Sequence, residues 1–388
     1  MDYPYSEEQR LLASTVERLV AERYSFAKRR AIVASEPGWS REIWKAFANL
    51  GLQAIPFAEK HGGLGQGAIE VMIVMEALGR GIVVEPYLQS VVLAGALLRH
   101  GASETQKQAF IPGIASGEKI YALAFAEPQG RFNLADLRTS ARKKGGGWVL
   151  DGHKAVVYAA PWADGLFVSA RSAGAQRDAS GVSLFYVPAG AKGLTLKAYP
   201  TIDGGRAAEV LLEGVEVGDD ALIGAAGEGL PLLERAIDEG IAAVCAEAVG
   251  AMEALNDRTL EYTKTRVAFG NTLSKYQVLQ HRMVDMRVSY AYSAATTQLA
   301  TLRLSSPPRE RARAASIAKY HICQDGRFVA QNAVQLHGAI GVTDELDVGH
   351  FFKRLTVIDF LFGNADFHLR RYAALTRGTA APTAGVPA

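Results

Sequence analysis

The sequence predicts an α+β multidomain fold in the order helices, β domain, helical bundle. Three observations carry this: helical apolar spacing over the first 118 residues, short apolar runs broken by Gly, Asp and Pro, and long alanine-rich stretches after Glu228. The helical start is marked by Ser6-Glu-Glu-Gln9, a capping-box pattern ahead of Leu11, Leu12, Val16, Leu19 and Val20. Helices are expected over 41–50, 69–78 and 86–100, with a glycine-broken loop at Glu59–Gly65. Tyr121–Phe125, Gly147–Leu150, Gly165–Ala170, Val182–Val187 and Glu209–Leu212 read as strands of an antiparallel domain. Helix returns over 230–265, then 276–305, 309–336 and 346–374, with Pro307-Pro308 as a stop and start signal. The expected domains are 1–118, 119–225 and 226–375, and residues 376–388 read as a disordered tail of small residues and proline.

At 388 residues the chain is long for a single core. With 49% hydrophobic and 21% charged residues, its composition is that of a globular protein. A net charge of +2 and short, interrupted basic runs give no reason to expect a nucleic-acid partner. Cys245 and Cys323 match no metal or redox spacing, and suggest a reducing compartment. The acidic N-terminus shows no signal-peptide pattern, and Val91–Leu98 is too short to span a bilayer, so a cytoplasmic location is expected. Neither a nucleophile elbow nor a His-Glu-x-x-His zinc pattern occurs.

Two blocks are more specific than this outline. Tyr262-Thr-Lys-Thr-Arg266-Val-Ala-Phe269-Gly270, continuing to Tyr276-Gln277, and Gln335-Leu-His-Gly338-Ala-Ile-Gly341 closely resemble the signatures of the acyl-CoA dehydrogenase family. Glu59-Lys-His-Gly-Gly-Leu-Gly65 and Ala126-Glu127-Pro128 fit the same family. The resemblance implies an N-terminal helical domain, a middle β domain and a C-terminal four-helix bundle, assembled as a tetramer. It implies FAD as cofactor, an acyl-CoA substrate, α,β-dehydrogenation, and an electron-transferring flavoprotein as acceptor. It further assigns Arg266, Phe269, Tyr276, Gln335 and Gly338 to the FAD of a neighbouring chain. Those residue types suit the task, since a guanidinium offers fixed donors to a pyrophosphate and glycine permits close backbone approach.

The same alignment exposes departures. Where the resemblance implies a glutamate base, this chain has Phe362, and at the family's alternative base and arginine positions it has Gly240 and Ile241. The flavin- and substrate-contacting hydroxyls are replaced at Ala126 and Phe132, and the flavin-covering tryptophan at Val156. Two carboxylates remain as candidate bases. Glu239 reads as a solvated helix-end residue, a displaced base or a CoA contact. Glu247, in an otherwise apolar stretch, reads as a partnered structural group, a pocket-floor recognition group or a proton acceptor. Asp238 matches a CoA-holding position of the family. Three readings follow: a subunit whose degenerate site completes that of a homologous partner, as in α2β2 members of the family; a self-sufficient dehydrogenase using Glu239 or Glu247; or a non-enzymatic acyl-CoA-binding scaffold.

Overall fold

A computed structural model describes residues 5–377. The helices are α1 (Glu7–Arg23), α2 (Phe26–Ala34), α3 (Arg41–Asn49), α4 (Ala68–Arg80), α5 (Gly95–Gly101) and α6 (Glu104–Ala115), then α7 (Gly229–Thr265), α8 (Gln277–Leu302), α9 (Pro308–His337), α10 (Val348–Phe360) and α11 (Ala365–Arg377). A π-helical turn, Tyr87–Ala94, leads into α5. The strands are β1 (Tyr121–Ala124), β2 (Ser140–Lys144), β3 (Gly147–Tyr158), β4 (Gly165–Arg171), β5 (Val182–Pro188), β6 (Leu194–Pro200), β7 (Arg206–Gly218), β8 (Leu222–Ile223), β9 (Val267–Ala268) and β10 (Asn271–Thr272). The order of helices, sheet and helices is therefore as the sequence predicts.

Contacts divide the described chain into two units, one of residues 5–32, 68–83 and 241–377, the other of 33–67 and 84–240. In the first unit, the start of α1 is set by Ser6, whose Oγ accepts from the Gln9 N–H while the Gln9 side chain accepts from the Ser6 N–H. Helices α4 and α7 meet backbone to backbone. A Cβ on Gly79 would lie 1.9 Å from the Glu247 carbonyl oxygen, and one on Gly250 would lie 1.9 Å from that of Glu76. Glycine on both helices is what permits so close a crossing.

The second unit is built on an eight-stranded sheet in the order β6-β7-β3-β2-β4-β5-β8, with β1 added beside β4. Its core gathers Leu150, Val157, Leu166, Val168, Phe185, Val187 and Val210, all at most 2% exposed. The sheet is not wholly antiparallel as expected, because β1 runs parallel to β4 and β2 meets β4 in parallel at one position. Between β1 and β4 the chain makes a long excursion through β2 and β3, which permits the parallel pairing that a tight hairpin cannot make.

Two other expectations are corrected. The single helix expected over 346–374 is two, α10 and α11, separated by the turn Leu361–Asn364. There Gly363 has φ +120°, and a Cβ would strike the Phe367 ring at 2.4 Å, so the helix cannot run on through it. At the C-terminus, α11 extends to Arg377, where a disordered tail was expected from 376. The remainder of that tail, 378–388, lies outside the described residues.

Candidate active site and cofactor clamp

In the helical unit the two signature blocks come together. The α9 C-terminus places His337 against Tyr262 of α7, with ring centroids 4.4 Å apart in a stacked arrangement. The Tyr262 hydroxyl donates to the His337 carbonyl at 3.2 Å, and the His337 Nδ1 bonds the Ala333 carbonyl at 2.8 Å. Burial pushes the His337 imidazole below its ordinary pKa, so it is a neutral packing group here. The stack is invisible in the sequence, where its members lie in separate motifs.

Arg266 follows at the end of α7 and is exposed. Phe269 and Gly270 form the two-residue loop joining β9 to β10, with φ +54° and +82°. Positive φ at both positions is the geometry of a type I′ hairpin turn, which disfavours phenylalanine at the first position. Phe269 is nevertheless there, and 95% exposed. The Tyr276 hydroxyl braces this tip by donating to the carbonyls of Ala268 (2.9 Å) and Phe269 (3.0 Å). Gln335 is exposed, and Gly338 has φ +66° and ψ −144°, a region open essentially to glycine, with free space where a Cβ would stand. A guanidinium, an aromatic ring, an amide and an unobstructed backbone are thus offered outward from a braced support.

The β unit carries a separate group of the positions singled out from the sequence. Ala155 donates its N–H to the Ala126 carbonyl at 2.9 Å, so the structure brings the segments 126–133 and 156–159 together. Val156 lies at a bulge between β3 and β7, with φ +51° and 46% exposure. Beneath them, Glu127 accepts from the N–H groups of Arg138 (2.7 Å) and Thr139 (3.1 Å) and from Lys154 Nζ (2.6 Å), both side chains being buried. Burial would raise the Glu127 carboxyl, but Lys154 and these donors hold it below the usual range. This buried pair was not anticipated from the sequence, because Lys154 sits among the strand residues of β3.

The two candidate bases are both engaged, and not near each other in role. Glu239 is not a solvated helix-end residue: it is buried, and its carboxylate meets Arg99 Nη2 at 2.5 Å, His100 Nε2 at 2.7 Å and Arg235 Nε at 3.2 Å. Only the Arg235 contact, four residues away on α7, was legible from spacing. Burial alone would raise the Glu239 pKa, but Arg99 and His100 outweigh it and hold the value at about 2. Glu247 is also buried and takes a bidentate pair from Arg354, with Nε at 2.6 Å and Nη2 at 2.7 Å. Asp238 is buried as well.

The Glu239 cluster makes a pH prediction. Its folded pKa lies below the unfolded value, so the stabilisation is present above about pH 4.5 and is lost as pH falls towards 2. A shift of this size corresponds to about 3 kcal/mol. Glu239→Gln should therefore be less stable than the parent at neutral pH, with the difference closing between pH 4.5 and 2 in urea titrations. A difference independent of pH would refute the assignment.

Phe362 stands in the turn after α10, with φ +61° and its carbonyl accepting from His368 Nε2 at 3.1 Å. Nothing at this side chain can accept a proton.

Family models for the acyl-CoA dehydrogenase N-terminal, middle and C-terminal domains match residues 6–118, 122–215 and 227–375. The long-chain specific acyl-CoA dehydrogenase of Sus scrofa is 31% identical over 325 residues, 81% of this chain and 74% of that protein. The chain belongs to the acyl-CoA dehydrogenase family. Isovaleryl-CoA dehydrogenase of Pongo abelii is 29% identical over 94% of this chain and 90% of its own length. Among solved structures, a chain of the ChsE4–ChsE5 complex from Mycobacterium tuberculosis superposes with a TM-score of 0.89 at 26% identity, covering 98% of this chain and all of that one.

The family is one of FAD-dependent oxidoreductases, and the outward residues of the helical unit fit such a group. Arg266 offers charge-assisted donors to phosphate, Phe269 an exposed ring, and Gly338 a backbone on which nothing projects. Among the described residues no helix is long and apolar enough to cross a membrane, and no acidic, histidine and cysteine cluster could hold a metal ion.

Proposed function

We propose that the chain is a subunit of a heteromeric acyl-CoA dehydrogenase, in which it completes the FAD site of a homologous, base-bearing partner. The observation that carries this reading is an asymmetry. Arg266, Phe269, Gln335 and Gly338 are all present and exposed, and Tyr262–His337 and Tyr276 brace their support. Phe362, Ala126, Phe132 and Val156 lack the groups expected on the chain's own side. That ChsE4–ChsE5 is a complex of two differently named chains supports the heteromeric reading. The segments 1–118, 119–225 and 226–375 are taken as its domains. A reducing, cytoplasmic setting fits the free, buried Cys245 and Cys323.

FAD, when bound, supplies the hydride acceptor for oxidation of the acyl Cα–Cβ bond. This chain's part is positional: Arg266 neutralises phosphate charge, Phe269 packs on the dinucleotide, and Gln335 and the Gly338 backbone approach its ADP portion. Tyr276 holds the Phe269 tip. Asp238 is assigned to the CoA moiety, and an electron-transferring flavoprotein to reoxidation. Glu239 and Glu247 are weak candidates for the base, because each is neutralised by guanidinium groups that would have to be displaced first.

The decisive experiment is expression alone and with a glutamate-bearing homologue. A colourless chain that becomes yellow and active only on co-expression is expected. A yellow homotetramer that reduces its own flavin anaerobically with acyl-CoA would refute the proposal. In the assembled enzyme, Arg266→Ala removes a charge-assisted contact worth about 1.5–3 kcal/mol, so FAD affinity should fall roughly 10- to 100-fold. Flavin retention after gel filtration measures it, and unchanged retention would remove Arg266 from the clamp.

A further inference from the structure

Helix α8 buries one face in the helical unit, through Met286, Ser293, Thr297 and Ala300. Its more apolar face points the other way. Val284, Val288, Tyr292, Leu299 and Leu302 are 43% to 61% exposed, and the exposed Ala295 stands among them. At 100° per residue these six fall within an arc of about 80°, roughly opposite the buried face. Every other residue between 284 and 302 lies outside that arc, so no charged side chain interrupts it; Asp285 and Arg287 stand on its two flanks. The stripe runs about 27 Å along the helix. A surface helix ordinarily turns its apolar stripe inward, and a continuous apolar stripe turned outward marks an interaction surface.

The form of the stripe limits what can cover it. Its successive members are four, four, three, four and three residues apart, the spacing of a seam along which two helices interdigitate. The small Ala295, between Tyr292 and Leu299, leaves a hole for a side chain of a facing helix. A straight, narrow seam suits a second helix better than a small ligand, which is held in a concave pocket.

The place of the stripe limits the partner. Tyr276 is the N-cap residue of α8, and its hydroxyl holds the hairpin tip at Phe269 that is assigned above to the partner's FAD. Val267 on that hairpin is 59% exposed and Val278, in the first turn of α8, is 66% exposed. Apolar surface therefore continues from the clamp onto the helix, and a chain whose cofactor sits at the hairpin meets α8 next.

We propose that the exposed face of α8 is the docking surface for the base-bearing homologue, which lays an apolar helix of its own along residues 284–302. This rests on the heteromeric reading above, in which hairpin and helix face one partner.

The test uses the full chain co-expressed with the glutamate-bearing homologue, with assembly followed by gel filtration and light scattering. Val288→Lys and Leu299→Lys are each expected to weaken assembly at least about 30-fold, the effect of a central interface residue. Both positions are exposed in the single chain, so each variant purified alone should melt at the temperature of the parent purified alone. Arg266→Ala should instead lose flavin and stay assembled, which separates the docking surface from the clamp. A heteromer that survives both lysine substitutions would overturn the proposal. So would a homodimer of the chain alone that the lysines break while the heteromer persists, because the occupant would then be a second copy. A parent heteromer that holds no FAD, yet falls apart on either substitution, would refute the clamp and leave this surface standing.

Discussion

Replacing Phe362 by glutamate is expected to raise the chain's own rate of acyl-CoA-dependent flavin reduction by about 10²- to 10⁴-fold, the usual worth of a positioned general base. The turn that carries residue 362 is held through its backbone carbonyls. Lys319, fully buried on α9, donates from Nζ to the carbonyls of Gly363 at 2.8 Å and Asp359 at 3.1 Å. The Asp359 carboxylate is paired with Arg327, and His368 bonds the Phe362 carbonyl. Gly363 leaves room that the Phe367 and His368 rings occupy. A glutamate introduced at 362 inherits that backbone, including its positive φ, at a strain cost similar to the one phenylalanine already bears. The check is anaerobic stopped-flow reduction with acyl-CoA across a pH series, in a flavin-loaded assembly whose partner has its base glutamate replaced by glutamine, so that only this chain's own site reports. The variant's rate should rise with pH through the new carboxyl's pKa, since only the ionised form accepts a proton. A rate equal to the parent's at every pH would mean that the turn does not present residue 362 to the acyl group.

Gly250→Ala is expected to destabilise the helical unit by about 3 kcal/mol or more, a large value for adding one methyl group. The new Cβ would stand 1.9 Å from the Glu76 carbonyl oxygen, which is backbone and cannot rotate away. Relief requires α4 and α7 to part, and Gly79 marks the same crossing from the other side, facing the Glu247 carbonyl. Gly79→Ala should therefore cost a similar amount. The double substitution should cost less than the sum, because helices already separated admit the second methyl cheaply. Urea denaturation of the three variants measures this. Single losses below about 1 kcal/mol, or strict additivity, would show that the crossing yields easily.

Much of the architecture was readable because it depends on local rules. The Ser6 capping box, the Pro307-Pro308 boundary and the apolar periodicities specify helix starts and faces through neighbours three or four residues away. The residues proposed as the clamp lie on equally local features, Arg266, Phe269 and Gly270 at one hairpin and Gln335 and Gly338 at one helix end. The turn at Gly363 was not legible, because what breaks the helix is the packing of Phe367 and His368 against a glycine that a periodicity scan passes over. The parallel pairing of β1 with β4 escaped for want of any local signal of strand order.

The sequence by itself determined the family, the succession of helices, sheet and helices, and the absence of a proton acceptor at position 362. Each of these is a property of which residue stands at which place in the chain. Tertiary structure alone decided what the remaining carboxylates do. Glu239, which the sequence leaves open as a solvated helix-end residue, a displaced base or a CoA contact, is held by Arg99 and His100, about 140 residues earlier in the chain. Glu247 finds Arg354 more than 100 residues later. The state of a buried carboxylate is set by the charges folding brings within a few ångströms of it, and the sequence does not encode that proximity in any spacing.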